Sequence, residues 1–191
     1  MHLVLVKWLQ KYCSISKLEP READCIYAGI LIDTNNFMTK TGVRTFEAAA
    51  YLRRSGAEVT RVRKMIRNDM SAYKARAEAV HKAEVYRKAF AISVCPSDAV
   101  ESPTIVGAQA ANELLNVIGI KASFVLTEYN GKIFVSARSI DEINVQLIME
   151  RLGGGGHLNV AGAQLVDCTI ESAKRIIKDT LEEMVKEGEI E

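Results

Sequence analysis

Hydrophobic and polar positions alternate along this chain with two different periods. Ala23, Ile26, Tyr27 and Ile30 recur at helical spacing behind Pro20, a residue suited to the first turn of a helix. Asp33 lies seven residues after Ile26 on that inward stripe, and Asn35-Asn36 then breaks the pattern. A short helix is predicted over Phe46–Arg54, capped by Thr45 and closed by Gly56. A long helical stretch follows from about Glu58 to Lys88, rich in Ala, Lys, Arg and Glu. Its middle, Asp69 to Lys82, is poor in large apolar residues, so it reads as a bridge between two lobes.

Beyond residue 88 the period shortens. Ala89–Val94 reads as a strand, and Thr104–Val117 as a helix with Ile105, Ala108, Ala111, Leu114 and Leu115 inward. Ser123–Tyr129 and Lys132–Ala137 flank Asn130-Gly131, a strong hairpin signal because both turn positions need positive φ. A helix over Glu142–Leu152, the run Gly153-Gly154-Gly155-Gly156, a strand over Val160–Val166 and an amphipathic helix from Ala173 to Val185 complete the pattern. The fold class is therefore α/β: a mixed sheet packed with helices, preceded by a helical segment.

Composition narrows the class. The 191 residues are 48% hydrophobic and 26% charged with 3 Pro, which excludes a disordered or collagenous chain. Cys13, Cys25, Cys95 and Cys168 form no C-x-x-C pair and read as reduced thiols of a cytoplasmic protein. Leu3–Val6 is too short for a signal-peptide core, and no stretch is apolar enough to span a bilayer. The net charge of +1 leaves nucleic acid neither favoured nor excluded. Charge is uneven, however: eleven Lys/Arg against four Asp/Glu lie between Arg53 and Lys88. That stretch reads as a solvated helix face or as a basic face near an anionic ligand.

Three features carry candidate chemistry. Four consecutive glycines before His157 suit a flexible loop or a nest of N–H groups converging on an anion, and His157 reads as a structural histidine or a donor to that anion. Ser136-Ala-Arg138-Ser139 ends a hairpin strand. Arg138 can grip phosphate bidentately, and Ser139 can bind phosphate or form a capping box with Glu142. Asn144, one turn further, reaches the same cleft. Asp33 reads as a cap, an ion-pair partner or a metal ligand. Neither a dinucleotide-binding G-x-G-x-x-G after a strand nor a P-loop is present.

The segment Ser136 to Ser139, then Asn144-Val-Gln146, then Gly153-Gly-Gly-Gly-His157-Leu-Asn-Val-Ala161-Gly-Ala163 resembles the substrate-binding DHH-associated domain of the DHH phosphoesterases. This family includes RecJ-type nucleases, small-RNA exonucleases and cyclic di-AMP phosphodiesterases. Ala28-Gly-Ile-Leu-Ile-Asp33-Thr-Asn-Asn-Phe37 and Thr41-Gly-Val-Arg44 to Arg53 resemble the end of the DHH domain in membrane-anchored cyclic di-AMP phosphodiesterases of the GdpP type.

The resemblance implies a truncated DHH lobe over residues 1–57, a linker helix over 58–88 and a DHH-associated domain over 89–191. It implies that Ser136, Arg138, Ser139, Asn144, Gly153, Gly154, Gly155, Gly156 and His157 surround nucleotide, and that Asp33 is one ligand of a two-manganese site. No Asp-x-Asp and no Asp-His-His exists among the seven aspartates and three histidines. The chain is therefore expected to be the C-terminal part of a manganese-dependent phosphodiesterase that hydrolyses cyclic di-AMP to linear pApA, inactive by itself and anchored through an upstream segment. Its expected partners are a cyclic dinucleotide or short oligonucleotide, the N-terminal DHH portion of the same polypeptide, and a second copy of itself through an apolar patch at Leu3–Leu9 and Ile26–Ile32. A RecJ-type or oligoribonuclease fragment and a stand-alone nucleotide-binding module are the alternatives.

Overall fold

A computed structural model describes residues 18–98, 100–140 and 142–190. The chain divides into two units, residues 1–68 and 69–191.

In the first unit, α1 (Pro20–Asp33), α2 (Val43–Arg54) and α3 (Val59–Met65) enclose a small core of Ala23, Ile30, Ala48, Leu52 and Ala57. Pro20 opens α1 as expected, and the Glu19 N–H donates to Glu22 at 3.0 Å. At its other end the buried Thr34 hydroxyl donates to the Ile30 carbonyl at 2.6 Å and accepts the Phe37 N–H at 3.0 Å. Asn35, Asn36 and Phe37 then run through positive φ of 46°, 56° and 66°, which ends the helix where the sequence suggested. Such a run is strained for side chains as bulky as Phe37, and ring contacts hold it: Phe37 stacks on Phe46 at 5.4 Å and meets Tyr27 edge-on at 6.3 Å.

Thr45 does not cap α2. The helix starts at Val43, and Thr45 sits in its first turn, accepting the Gly42 N–H at 3.3 Å. The apolar patch also differs from expectation. Ile30 is buried and Ile26 packs on the core, so only Ile32 in that stretch is widely exposed, while Met38, Val43 and Phe46 are exposed as well. Leu3–Leu9 lies outside the described residues.

The long helix over 58–88 does not form. It is broken after Met65, and Asp69 caps a separate helix, α4 (Met70–His81), by accepting the Ala72 N–H at 2.8 Å. β1 (Glu84–Tyr86) follows in place of further helix. Nor is α4 a solvated bridge: its stripe of Ala72, Ala75 and Ala79 is buried in the second unit. Small side chains there let two helices lie close on one sheet face.

The rest of the second unit comprises β2 (Phe90–Cys95), α5 (Pro103–Leu114), β3 (Ala122–Tyr129), β4 (Lys132–Ser139), α6 (Val145–Arg151), β5 (Gly155–His157), β6 (Val160–Leu165) and α7 (Ile170–Lys186). The strands form one sheet in the order β1-β2-β3-β4-β6-β5, in which β2 and β3 run parallel and the other pairs antiparallel. Asn130 (φ 50°) and Gly131 (φ 70°) make the predicted hairpin turn.

One sheet face carries the larger core. Phe90, Ile92, Phe124, Leu126, Val135 and Ala161 pack there with Ile148 and Met149 of α6 and Ile177, Leu181 and Met184 of α7. Each large side chain buried in this way contributes about 1.5–3 kcal/mol. The opposite face packs Ala91 and Val125 against α4 and α5. The inward stripe of α5 is Val106, Gly107, Ala110, Ala111 and Leu114. Ala111 and Leu114 are buried as expected and Leu115 packs against them, whereas Ile105 is 58% exposed and Val106 and Gly107 take the inward place in the first turns. Gly107 sets this register, because a Cβ there would sit 2.3 Å from the Thr127 Oγ1. No described helix is long and apolar enough to cross a membrane.

Candidate functional site

Antiparallel pairing places cross-strand partners on the same sheet face, and α5 covers only part of the face it packs on. Beyond it, the outward residues of β4, β6 and β5 form three rows. Arg138 pairs with Val160, and Val160 with His157. Ser136 pairs with Gly162, and Gly162 with Gly155. Phe134 pairs with Gln164. All of these residues are half-buried or exposed. Phe134, Ser136, Gly162 and Gln164 of these rows line an open cleft of about 460 Å³ together with Thr104, Gly153 and Gly154. Arg138, Val160 and His157 lie beside it on the same sheet face. Adjacent rows lie about 6.6 Å apart and adjacent strands about 4.8 Å apart, so Arg138 and His157 flank a strip the width of one strand.

Four of the candidate residues thus share a sheet face, Ser136, Arg138, Gly155 and His157, and two more, Gly153 and Gly154, line the cleft with Ser136. Among the described residues, the Arg138 guanidinium meets only backbone carbonyls, Ala137 at 2.8 Å and Ala161 at 3.4 Å. Arg61, Arg76, Arg87 and Arg151, by contrast, each pair with a carboxylate. Burial lowers the Arg138 pKa from its ordinary value. A partly desolvated cation among carbonyls gains most from an anion brought to it.

The glycine run is not a loop throughout, because Gly155 and Gly156 belong to β5. Its members have different reasons to be glycine. A Cβ on Gly154 would lie 2.2 Å from the Gly162 carbonyl, and one on Gly156 would lie 2.5 Å from Ala161 Cα, so these two permit close packing of β5 on β6. Gly153 has φ of 75°. A Cβ on Gly155 would meet nothing within 4 Å. Packing therefore does not require a glycine at 155, and together with Gly162 it leaves the middle row bare of side chains beyond Ser136.

Ser139 and Asn144 do not join the site. Strand alternation turns Ser139 to the core face, where it is 6% exposed and its hydroxyl donates to the Leu158 carbonyl at 3.4 Å. There is no capping box with Glu142, because α6 starts at Val145. Asn144 is its cap, accepting the N–H groups of Gln146 at 3.1 Å and Leu147 at 3.4 Å. Phe134, Gln164, Gly162 and Thr104 were missed. Three of them were legible in principle, since Phe134 shares the parity of Ser136 and Arg138, and Gly162 and Gln164 alternate along β6.

Asp33 is exposed, not inward, at the last position of α1. Among the described residues no three His, Cys, Asp or Glu side chains come together as a metal site. One carboxylate does not hold a pair of divalent cations, which need several oxygen or imidazole ligands, so the described residues by themselves do not fit a two-manganese centre.

Comparison with known proteins bears on this site. The chain is 44% identical over 155 residues to the cyclic-di-AMP phosphodiesterase PdeA of Listeria monocytogenes, covering 81% of this chain and 23% of that protein. It is 40% identical over 173 residues to the cyclic-di-AMP phosphodiesterase GdpP of Geobacillus thermodenitrificans, covering 90% and 26%. The chain thus spans about a quarter of the length of these curated relatives. The crystal structure of an exopolyphosphatase-related protein from Bacteroides fragilis shares the fold, with a TM-score of 0.82 at 19% identity over 95% of this chain and 55% of that one. The DHHA1 domain family matches residues 89–187, which takes in the whole cleft, and the chain therefore belongs to the DHHA1-domain proteins of the DHH family.

Proposed function

We propose that the chain is the C-terminal part of a phosphodiesterase that acts on cyclic di-AMP, and that its second unit supplies the nucleotide-binding surface. The observation that carries this reading is the pair of adjacent rows on the open half of the sheet. Arg138, near backbone carbonyls and with no carboxylate paired to it among the described residues, and His157 stand on either side of Val160, next to Ser136 and the bare strip of Gly162 and Gly155. The identity to two named cyclic-di-AMP phosphodiesterases supports the substrate class.

On this reading Arg138 and His157 grip a phosphate. Ser136 hydrogen-bonds phosphate or sugar, and Gly155 and Gly162 let the ligand lie close to the backbone. Asp33 provides one metal ligand, and the remaining ligands for two manganese ions come from a DHH portion outside this sequence, which also carries the membrane anchor. The bound metals would supply charge at the reacting phosphate and an activated water. This chain's own part is to bind and orient. A second copy docks through the exposed Ile32, Met38, Val43 and Phe46, and sedimentation tests that association.

Calorimetric titration of cyclic di-AMP into the chain, with and without manganese, tests the main claim. Binding independent of manganese is expected, weakened roughly 10- to 150-fold by Arg138→Ala through loss of a charged contact and weakened also by His157→Ala. Absence of cyclic di-AMP binding under both conditions overturns it. Tighter binding of short linear RNA than of cyclic di-AMP would instead favour an oligoribonuclease.

A further inference from the structure

We infer that the third row of the open sheet, Phe134 and Gln164 with Thr104 beside them, seats a nucleobase, and that its amide fits the edge of adenine. This deepens the proposed function and rests on its reading of the cleft as a nucleotide site.

The argument starts from what the fold does not require. Phe134 is a large aromatic side chain that stays outside the buried core. Instead its ring lines the cleft, with Tyr129 behind it at 6.4 Å and 52°. Gln164, directly opposite on β6, is exposed in a strand whose other members are Val160, Ala161, Gly162, Ala163 and Leu165. Both residues line the same cleft as Thr104, the second residue of α5.

An aromatic face offers stacking to any base. The glutamine amide offers one donor and one acceptor side by side, which matches the neighbouring N7 acceptor and N6 amino donor of adenine. The Thr104 hydroxyl adds one more donor or acceptor. Spacing agrees with chemistry: this row stands about 6.6 Å from the Ser136 row and twice that from Arg138. A phosphate held by Arg138 and His157 therefore places its sugar over Ser136 and the bare Gly162, and its base between Phe134 and Gln164.

The test uses the full chain labelled with 15N and titrated with AMP, CMP and ribose 5-phosphate, comparing the original protein with Phe134→Ala and Gln164→Ala. AMP is expected to bind roughly five- to a hundredfold more tightly than ribose 5-phosphate. Phe134→Ala removes that advantage and leaves ribose 5-phosphate affinity unchanged. Gln164→Ala weakens AMP and CMP, which both present a ring-nitrogen acceptor beside an amino group, and leaves ribose 5-phosphate unchanged. The Gln164 side-chain amide signal shifts with either nucleotide but not with ribose 5-phosphate. Should Phe134→Ala disturb folding, seen as a lowered unfolding temperature, the Gln164 signal and the exposed-site variant decide. Equal affinity for AMP and ribose 5-phosphate, or a Gln164 amide that AMP leaves unmoved, overturns the base seat while the phosphate cleft stands. Failure of both ligands to bind overturns the cleft and the seat together.

Discussion

Gly154, Gly155 and Gly156 look identical in the sequence and differ entirely in the structure. An alanine at 154 or 156 would place its methyl 2.2 Å from the Gly162 carbonyl or 2.5 Å from Ala161 Cα. Neither neighbour is the end of a flexible side chain, so β5 must shift. Gly156→Ala is expected to lower stability by about 1–3 kcal/mol, as overpacking does. Gly155→Ala meets nothing and should change stability by less than about 0.5 kcal/mol, while weakening cyclic di-AMP roughly tenfold or more by filling the cradle. Chemical denaturation beside calorimetry separates the two effects. Cysteine reactivity divides in the same residue-by-residue way. Burial pushes the Cys95 thiol up to about 11, whereas Cys25 is exposed. Iodoacetamide at pH 7.5 should label Cys25 long before Cys95, as peptide mass mapping would record.

At the scale of elements, the first unit depends on a clip between α1 and α3. Asp24 is 3% exposed and accepts the Glu58 N–H at 2.7 Å, Arg61 Nε at 2.6 Å and Arg61 Nη2 at 3.2 Å. The Arg61 guanidinium, and then the Glu58 N–H, hold its carboxyl below the ordinary value of 3.8. A carboxylate whose folded pKa is depressed contributes stability that is fully present above its unfolded value and lost as pH falls through the folded one. The unfolding temperature should therefore drop as pH falls below about 3.8. Asp24→Asn should lower it by several degrees at pH 7 and flatten that acid limb, measured by circular dichroism. Local signals explain which elements were legible. Asn130-Gly131 specified its hairpin because both turn residues need positive φ. The stretch 58–88 was misread because Ala-rich periodicity continues across Asp69, whose cap is recognisable only once the Ala72 N–H is seen on its carboxylate. The inward face of α5 was legible at Ala111, Leu114 and Leu115 but not at its start, where Ile105 is exposed and Gly107, with no side chain to signal burial, is what meets Thr127.

For the whole molecule, the relation between the two units and the activity is the open experiment. Residues 69–191 carry both packed sheet faces and the cleft. Expressed alone they should fold cooperatively and bind cyclic di-AMP as the full chain does, as denaturation and calorimetry would show. The chain should not release pApA from cyclic di-AMP at an enzymatic rate, even with manganese, because among the described residues no three His, Cys, Asp or Glu side chains come together to hold a metal. Asp33→Asn should leave nucleotide binding by the chain unchanged and abolish turnover in the whole enzyme, with product formation followed by chromatography.

The sequence by itself determined the α/β class, the hairpin, the final amphipathic helix and the set of polar residues near the glycine run, because each rests on period, turn chemistry or contiguous motif. Only the tertiary structure decided which of those residues share a site. Strand parity sends Arg138 to the open face and Ser139 to the core, a helix start takes Asn144 for a cap, and cross-strand register brings Phe134 and Gln164 together from 30 residues apart. Side-chain period is local, but the partner across a sheet is chosen by how the chain returns.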